Sequence, residues 1–231
     1  MFESAGYFVY GAAFMAFLLE VHILGWLGAK SASQSRLDTI TALEVGLTLA
    51  LPPVILASGM AERTLRLFWF HARDQQEYVA AHQTRRYGKE LQAFYSRRLL
   101  AYLVASAALA AAMLVAFELA LRSGRLAGWL ALPDPQPTEL VFVAALVAFW
   151  LVGWAQFNCM FVLNFGRPEQ AFRPVLLAMV VVGVTGIPLG AAGFGYTALA
   201  FAAGSAVFVW ASSRNCRRVL AAADHHYATA F

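Results

Sequence analysis

"LNFGRPEQAFRP", residues 163–174, interrupts two of the most apolar stretches of the chain and carries Arg167, Glu169 and Arg173 almost alone. The fold follows from why the sequence turns polar for about ten residues and then turns back. Of the 231 residues, 61% are hydrophobic and 13% are charged, and the mean hydropathy is +0.62. A soluble domain is about half apolar and a quarter charged. A soluble reading would also require amphipathic helices, and most of these runs have no polar face. The balance is that of a membrane protein, and the polar interlude reads as a turn outside the bilayer.

Six runs approach the roughly 20 helical residues needed to cross a hydrocarbon core of about 30 Å. They lie at 5–29, 40–61, 97–121, 139–164, 174–191 and 193–213. The fifth is short, carries Pro188 and runs through Gly193 almost directly into the sixth, which suggests a hairpin with a very short outer turn. Pro52-Pro53 and Pro188 predict bends. Gly186 and Gly190, four apart, permit close helix packing. The expected fold is therefore an all-α polytopic membrane protein, one domain over 1–231, with about six transmembrane helices and one long cytoplasmic amphipathic helical segment.

That segment, 62–96, contains no proline and reads as helix broken or bent near Gly88. Leu65, Phe68, Ala72 and Val79 fall near one face, as do Tyr87, Leu91 and Phe94, with Arg and Lys opposite, a pattern suited to a membrane surface. Residues 122–138, with "PDPQP", form an outer loop in which proline and Asp134 end any helix.

Charge sets the orientation. With both termini cytoplasmic, segments 62–98, 165–173 and 214–231 hold 13 of the 17 Lys and Arg, as the positive-inside rule requires. Lys30, Arg36, Arg122 and Arg125 fall outside. The net charge of +4 is this loop bias summed, so it implies no nucleic-acid partner. "RNCRR", 214–218, reads as a basic stop after the last helix, against anionic headgroups. "MFESAGYF" has no basic n-region, so the first run reads as a retained helix. Cys159 in a span and Cys216 in the tail imply no disulfide.

The motifs of several enzyme classes are missing. There is no Gly-rich phosphate loop, no His-Glu-x-x-His helix and no Gly-x-Ser-x-Gly elbow. His71 and His82 stand too far apart along a helix to share a metal, and His225 and His226 point apart, so neither metal nor cofactor is expected. What remains is polar chemistry inside the spans, which is costly there and marks function. Glu20 and His22 lie in the first span, Glu44 in the second, and Gln156, Asn158 and Asn164 in the fourth; Glu118 sits near the outer end of the third. Each carboxylate must be protonated, paired or facing water. Glu20, His22, Glu44, Gln156 and Asn158 are thus candidates either for a translocation path or for interhelical pairing, with His22 beside Glu44 the obvious pair. Arg167, Glu169 and Arg173 would fix the cytoplasmic turn, with Gly166 ending one helix and Pro168 beginning the next.

"LNFGRPEQAF", "AAGFGYTALAFAAG" and the ending "ADHHYATAF" together resemble the late turn, the aromatic-glycine hairpin and the C-terminus of the PelG family. "FYSRRLLAYL" resembles the end of that family's long amphipathic linker. The likeness covers about 40–231 and rests on aromatic and charge patterns. It implies a member of the multidrug, oligosaccharide-lipid and polysaccharide flippase superfamily in the bacterial inner membrane, serving exopolysaccharide export in biofilms. Such transporters have about twelve helices in two halves, and this likeness falls on the second. The implied partners are the lipid bilayer, a polysaccharide, the Pel membrane proteins PelD and PelE, the cytoplasmic glycosyltransferase PelF, and either a second six-helix half or a second copy. A non-transporting scaffold that anchors a cytoplasmic synthase is the alternative.

Overall fold

A computed structural model describes residues 3–28, 36–78, 84–123 and 135–221. Lys30, His82, Arg125, Asp134, His225, His226 and the ending that resembles the PelG family lie outside the described residues. Every described element is helical: α1 (Glu3–Gly28), α2 (Arg36–Leu49), α3 (Pro52–Tyr78), α4 (Thr84–Arg122), α5 (Pro135–Asn164), α6 (Pro168–Ala192), a 3-10 turn (Phe194–Tyr196) and α7 (Thr197–Ala221). Six stretches are long and apolar enough to cross a bilayer, namely Ala5–Gly28, Ile40–Phe68, Gly88–Arg122, Thr138–Asn164, Pro168–Ala192 and Phe194–Ala221. Phe8, Ile55, Leu100, Val104, Val184 and Ile187 point outward from them. Large apolar side chains on the outside of an apolar bundle face lipid. The chain is an all-α, multi-pass membrane protein.

Helix α5 is the hub. It packs on α7 most extensively and also on α2, α3 and α4, while α7 packs on α6 and α6 in turn on α1. The helices approach closely where side chains are missing. A Cβ on Gly190 would lie 3.8 Å from the Gly28 Cα, and one on Gly28 would lie 2.9 Å from the Gly190 carbonyl oxygen. The small residues of "GIPLG" therefore seat α6 against α1. Gly153 plays the same part in α5: a Cβ there would run into the Tyr102 hydroxyl and lie 2.9 Å from the Ala57 Cβ.

The opening turn forms as its residues dictate. Gly166, at φ +68°, takes the left-handed conformation that glycine adopts without penalty. The Gly166 N–H donates to the Leu163 carbonyl at 3.0 Å and the Arg167 N–H to the Val162 carbonyl at 3.4 Å. This is the 5→2 and 6→1 pair of a Schellman ending, which satisfies carbonyls that a helix end leaves bare. Pro168 then starts α6, where a missing N–H costs nothing.

The structure corrects several expectations. The second span is two helices, not one bent helix. Pro52 and Pro53 have no N–H to offer, so the Thr48 carbonyl accepts from the Leu51 N–H at 3.3 Å and α3 begins afresh at Pro52. Gly88 breaks nothing, because α4 runs continuously from Thr84 to Arg122; one glycine costs a helix about 1 kcal/mol, less than packing supplies. The fifth span begins at Pro168 rather than 174, since Pro174 is carried inside α6. Its ring would leave the Gln170 carbonyl without its helical donor, and the Asn215 amide donates to that carbonyl at 2.8 Å. Finally, "RNCRR" lies within α7, not after it.

The apolar face of 62–96 also finds another partner. Phe68 and Leu91 are buried, and the Phe68 ring lies 5.9 Å from Phe94, 5.4 Å from Phe161 and 5.7 Å from Phe165, centroid to centroid. The face that was expected on the membrane surface instead joins the ends of α3, α4 and α5. Ala72, Val79 and Tyr87 fall outside what the structure describes of side chains.

Candidate functional site

Polar side chains within the spans gather in two places. The first lies between α1 and α2, near the ends that face residues 29–35. His22 approaches Glu44 with Nε2 3.4 Å from Oε2, and Trp26, one turn further along α1 on the same face, donates from Nε1 to Glu44 Oε1 at 3.2 Å. The other histidine nitrogen, Nδ1, faces the Leu18 carbonyl at 3.3 Å. Both ring nitrogens thus face acceptors. The expected pair between His22 and Glu44 is present, and Trp26 is an addition that spacing from His22 could have supplied.

Glu20 is not part of that group. Two residues from His22, it emerges about 200° around the helix and points to α6, where a Cβ on Gly183 would lie 3.3 Å from its Oε1. Its Oε2 is buried and has no hydrogen-bond partner among the described residues.

The second place is at the other end of the bundle, around α5. Asn158 is fully buried. Its Oδ1 accepts from the Tyr95 hydroxyl of α4, and its Nδ2 donates to Ser212 Oγ at 3.2 Å and Ser213 Oγ at 2.9 Å on α7. One amide therefore ties three helices together. Gln156, on a different face of α5, donates to Ser58 Oγ of α3 at 3.1 Å, and the Ser58 hydroxyl donates in turn to the Val54 carbonyl at 3.1 Å. Gln156 and Asn158 neither meet one another nor approach Glu20. Nearby, Trp150 Nε1 donates to Ser106 Oγ at 2.9 Å. Tyr95, Ser58, Ser106, Ser212 and Ser213 gave no sign in the sequence, because a helical Ser or Tyr hydroxyl can equally bond its own backbone or face a headgroup.

Comparison with family models, curated proteins and solved structures finds no significant match.

The cytoplasmic-turn candidates are spread out. Arg167 NH1 lies 3.9 Å from Glu169 Oε1, while Arg173 is exposed one turn further into α6. The turn is also held from α1: the Tyr7 hydroxyl donates to the Leu163 carbonyl at 3.0 Å. Glu118 lies 3.8 Å from Arg122 at the end of α4, an exposed pair. Among the described residues there is no group of three His, Cys, Asp or Glu side chains able to hold a metal. Among the described residues no nucleophile is hydrogen-bonded to a base. Glu44 is engaged on both oxygens, whereas Glu20 has a buried oxygen with no partner among the described residues.

Proposed function

We propose that this chain is an inner-membrane component of Pel-type exopolysaccharide export and acts as half of a polysaccharide transporter. Both termini face the cytoplasm, and the path forms against a second six-helix half or a second copy. The observation that carries this reading is the likeness of 163–172 and 191–204 to the PelG family. The turn at Gly166 and Pro168 and the short hairpin at Gly193 fall within those two stretches and support the reading. Support also comes from carboxyl groups within the spans, a feature of transport paths, and from the helix broken at Ala50 and Leu51 inside a span, which transporters use around their binding sites.

A second reading is favoured by the α3 and α4 pair. Helix α3 runs on past its span to Tyr78 and α4 begins at Thr84, ahead of its own, and the cationic ends of the two carry Arg63, Arg66, Lys89, Arg97 and Arg98. Such a hairpin suits a scaffold that anchors an acidic face of a cytoplasmic synthase.

Deleting the chain from its host and following the polymer separates the two. A transporter predicts that the synthase stays active and polymer accumulates inside the cell. A scaffold predicts that polymer is no longer made and the synthase leaves the membrane. Normal secretion in the deletion strain removes both. For orientation, single cysteines at Ser123 and Gln136 should react with an impermeant thiol reagent from the periplasmic side, and those at Gln83 and Gln170 should not. The native Cys159 and Cys216 are buried and leave the background low. Reversed labelling overturns the cytoplasmic placement of the termini.

A further inference from the structure

Glu20 and Glu44 sit at similar depth in adjacent spans, but only one has its needs met. Both oxygens of Glu44 are taken, by His22 and by Trp26. Glu20 has a buried oxygen with no partner among the described residues and lies against the bare backbone of α6 at Gly183.

Among the described residues no ion pair reaches Glu20. The titratable side chains of α6 are Glu169 and Arg173, both in its first turns, at the opposite end of the helix from Gly190. Those of α7 are Arg214, Cys216, Arg217 and Arg218, again at the far end. Tyr7 and Tyr10 of α1 lie more than two turns away along the helix. His22 turns to α2, where Glu44 holds it. A carboxylate without a countercharge or a full set of donors is strongly disfavoured in an apolar bundle, and a neutral acid is far less so.

We propose that Glu20 is a proton-binding site, a neutral carboxylic acid held in the seam between α1 and α6. The seam is built for close approach on one side of it, where Gly186 meets Leu24 and Gly190 meets Gly28. Among the described residues no side chain there is placed to take over the proton. The proposal concerns this carboxyl alone and holds whether or not the chain exports a polymer.

Dicyclohexylcarbodiimide tests it, since this apolar reagent reaches carboxyl groups through lipid and reacts with the protonated acid. The carboxyl O–H adds across one C=N bond, its proton passing to nitrogen. The O-acylisourea so formed rearranges, away from water, to a stable N-acylurea with no atoms lost. The full chain in lipid nanodiscs should form an adduct on Glu20, located by peptide mass, at a rate that falls several-fold as the buffer moves from mildly acidic to alkaline. Glu20→Gln should abolish the adduct and Glu44→Gln should leave it. Because the adduct is located on the unaltered chain, the result does not depend on either variant folding. No adduct on Glu20, an adduct on Glu44 alone, or a rate indifferent to pH overturns the proposal.

Discussion

Helices α4 and α5 follow one another in the chain and are both long and apolar enough to cross a membrane, yet their surroundings are opposite. Of the most apolar stretch of α4, 11% is buried within the protein; for α5 the share is 61%. Helix α4 docks through one stripe. Tyr95, Leu99, Tyr102, Ser106, Ala110, Met113 and Phe117 recur three and four apart and are buried or packed against the core, as one face of a helix requires. The rest, including Leu100, Val104, Val115 and Leu119, faces outward. Helix α5 has neighbours on nearly every side. In water this difference would be written as polarity. In lipid it is not, because the outside is as apolar as the inside, so packing and a few interhelical hydrogen bonds decide which helix is central.

The largest effect should come from overfilling the hub. Gly153→Leu drives a side chain into Tyr102 and Ala57 and should cost about 3 kcal/mol, measured by unfolding in detergent. Ala108→Leu on the outward side of α4 should leave the midpoint in place. Equal losses from both would break the contrast and show α4 covered by another protein.

Next comes Asn158→Val, which unties α4 and α7 from α5 at once. Three lost bonds at roughly 0.6 kcal/mol each in a membrane predict a loss of about 2 kcal/mol in the same assay. A neutral Asn158→Val would place the strength of the hub in shape alone. Smaller still is Tyr95→Phe, which removes one donor to Asn158 and keeps the ring that lies 5.1 Å from Phe161; about 0.6 kcal/mol is expected. At the bottom, Val104→Ala and Leu119→Ala should stay within about 0.5 kcal/mol. A larger loss at either would mean that the outward face meets protein rather than lipid.

What the sequence revealed follows the same division. Local chemistry was legible: Gly166 and Pro168 gave the turn, Gly193 the tight hairpin, and His22 with Glu44 the pair across α1 and α2. Runs of apolar residues gave the spans. Which span stands at the centre was not legible, because α4 and α5 carry the same signal. The ends of helices were misjudged where a distant side chain intervenes. Asn215 takes the carbonyl that Pro174 cannot serve, and the aromatic cluster at Phe68 draws the face of 62–96 inward. Asn158 was a candidate from its type alone, but Tyr95, Ser212 and Ser213 belong to helices far off in the chain.

Helix α1 packs chiefly on α6 and only slightly on α2, which follows it, and the Tyr7 hydroxyl meets its acceptor 156 residues later. During synthesis, then, α1 enters the membrane long before its partner exists. At roughly 5–20 residues per second, it waits for something like ten seconds or more while Glu20 is carried through lipid with neither α6 nor the glycine seam to receive it. Any factor that shelters newly inserted helices has a long task with α1.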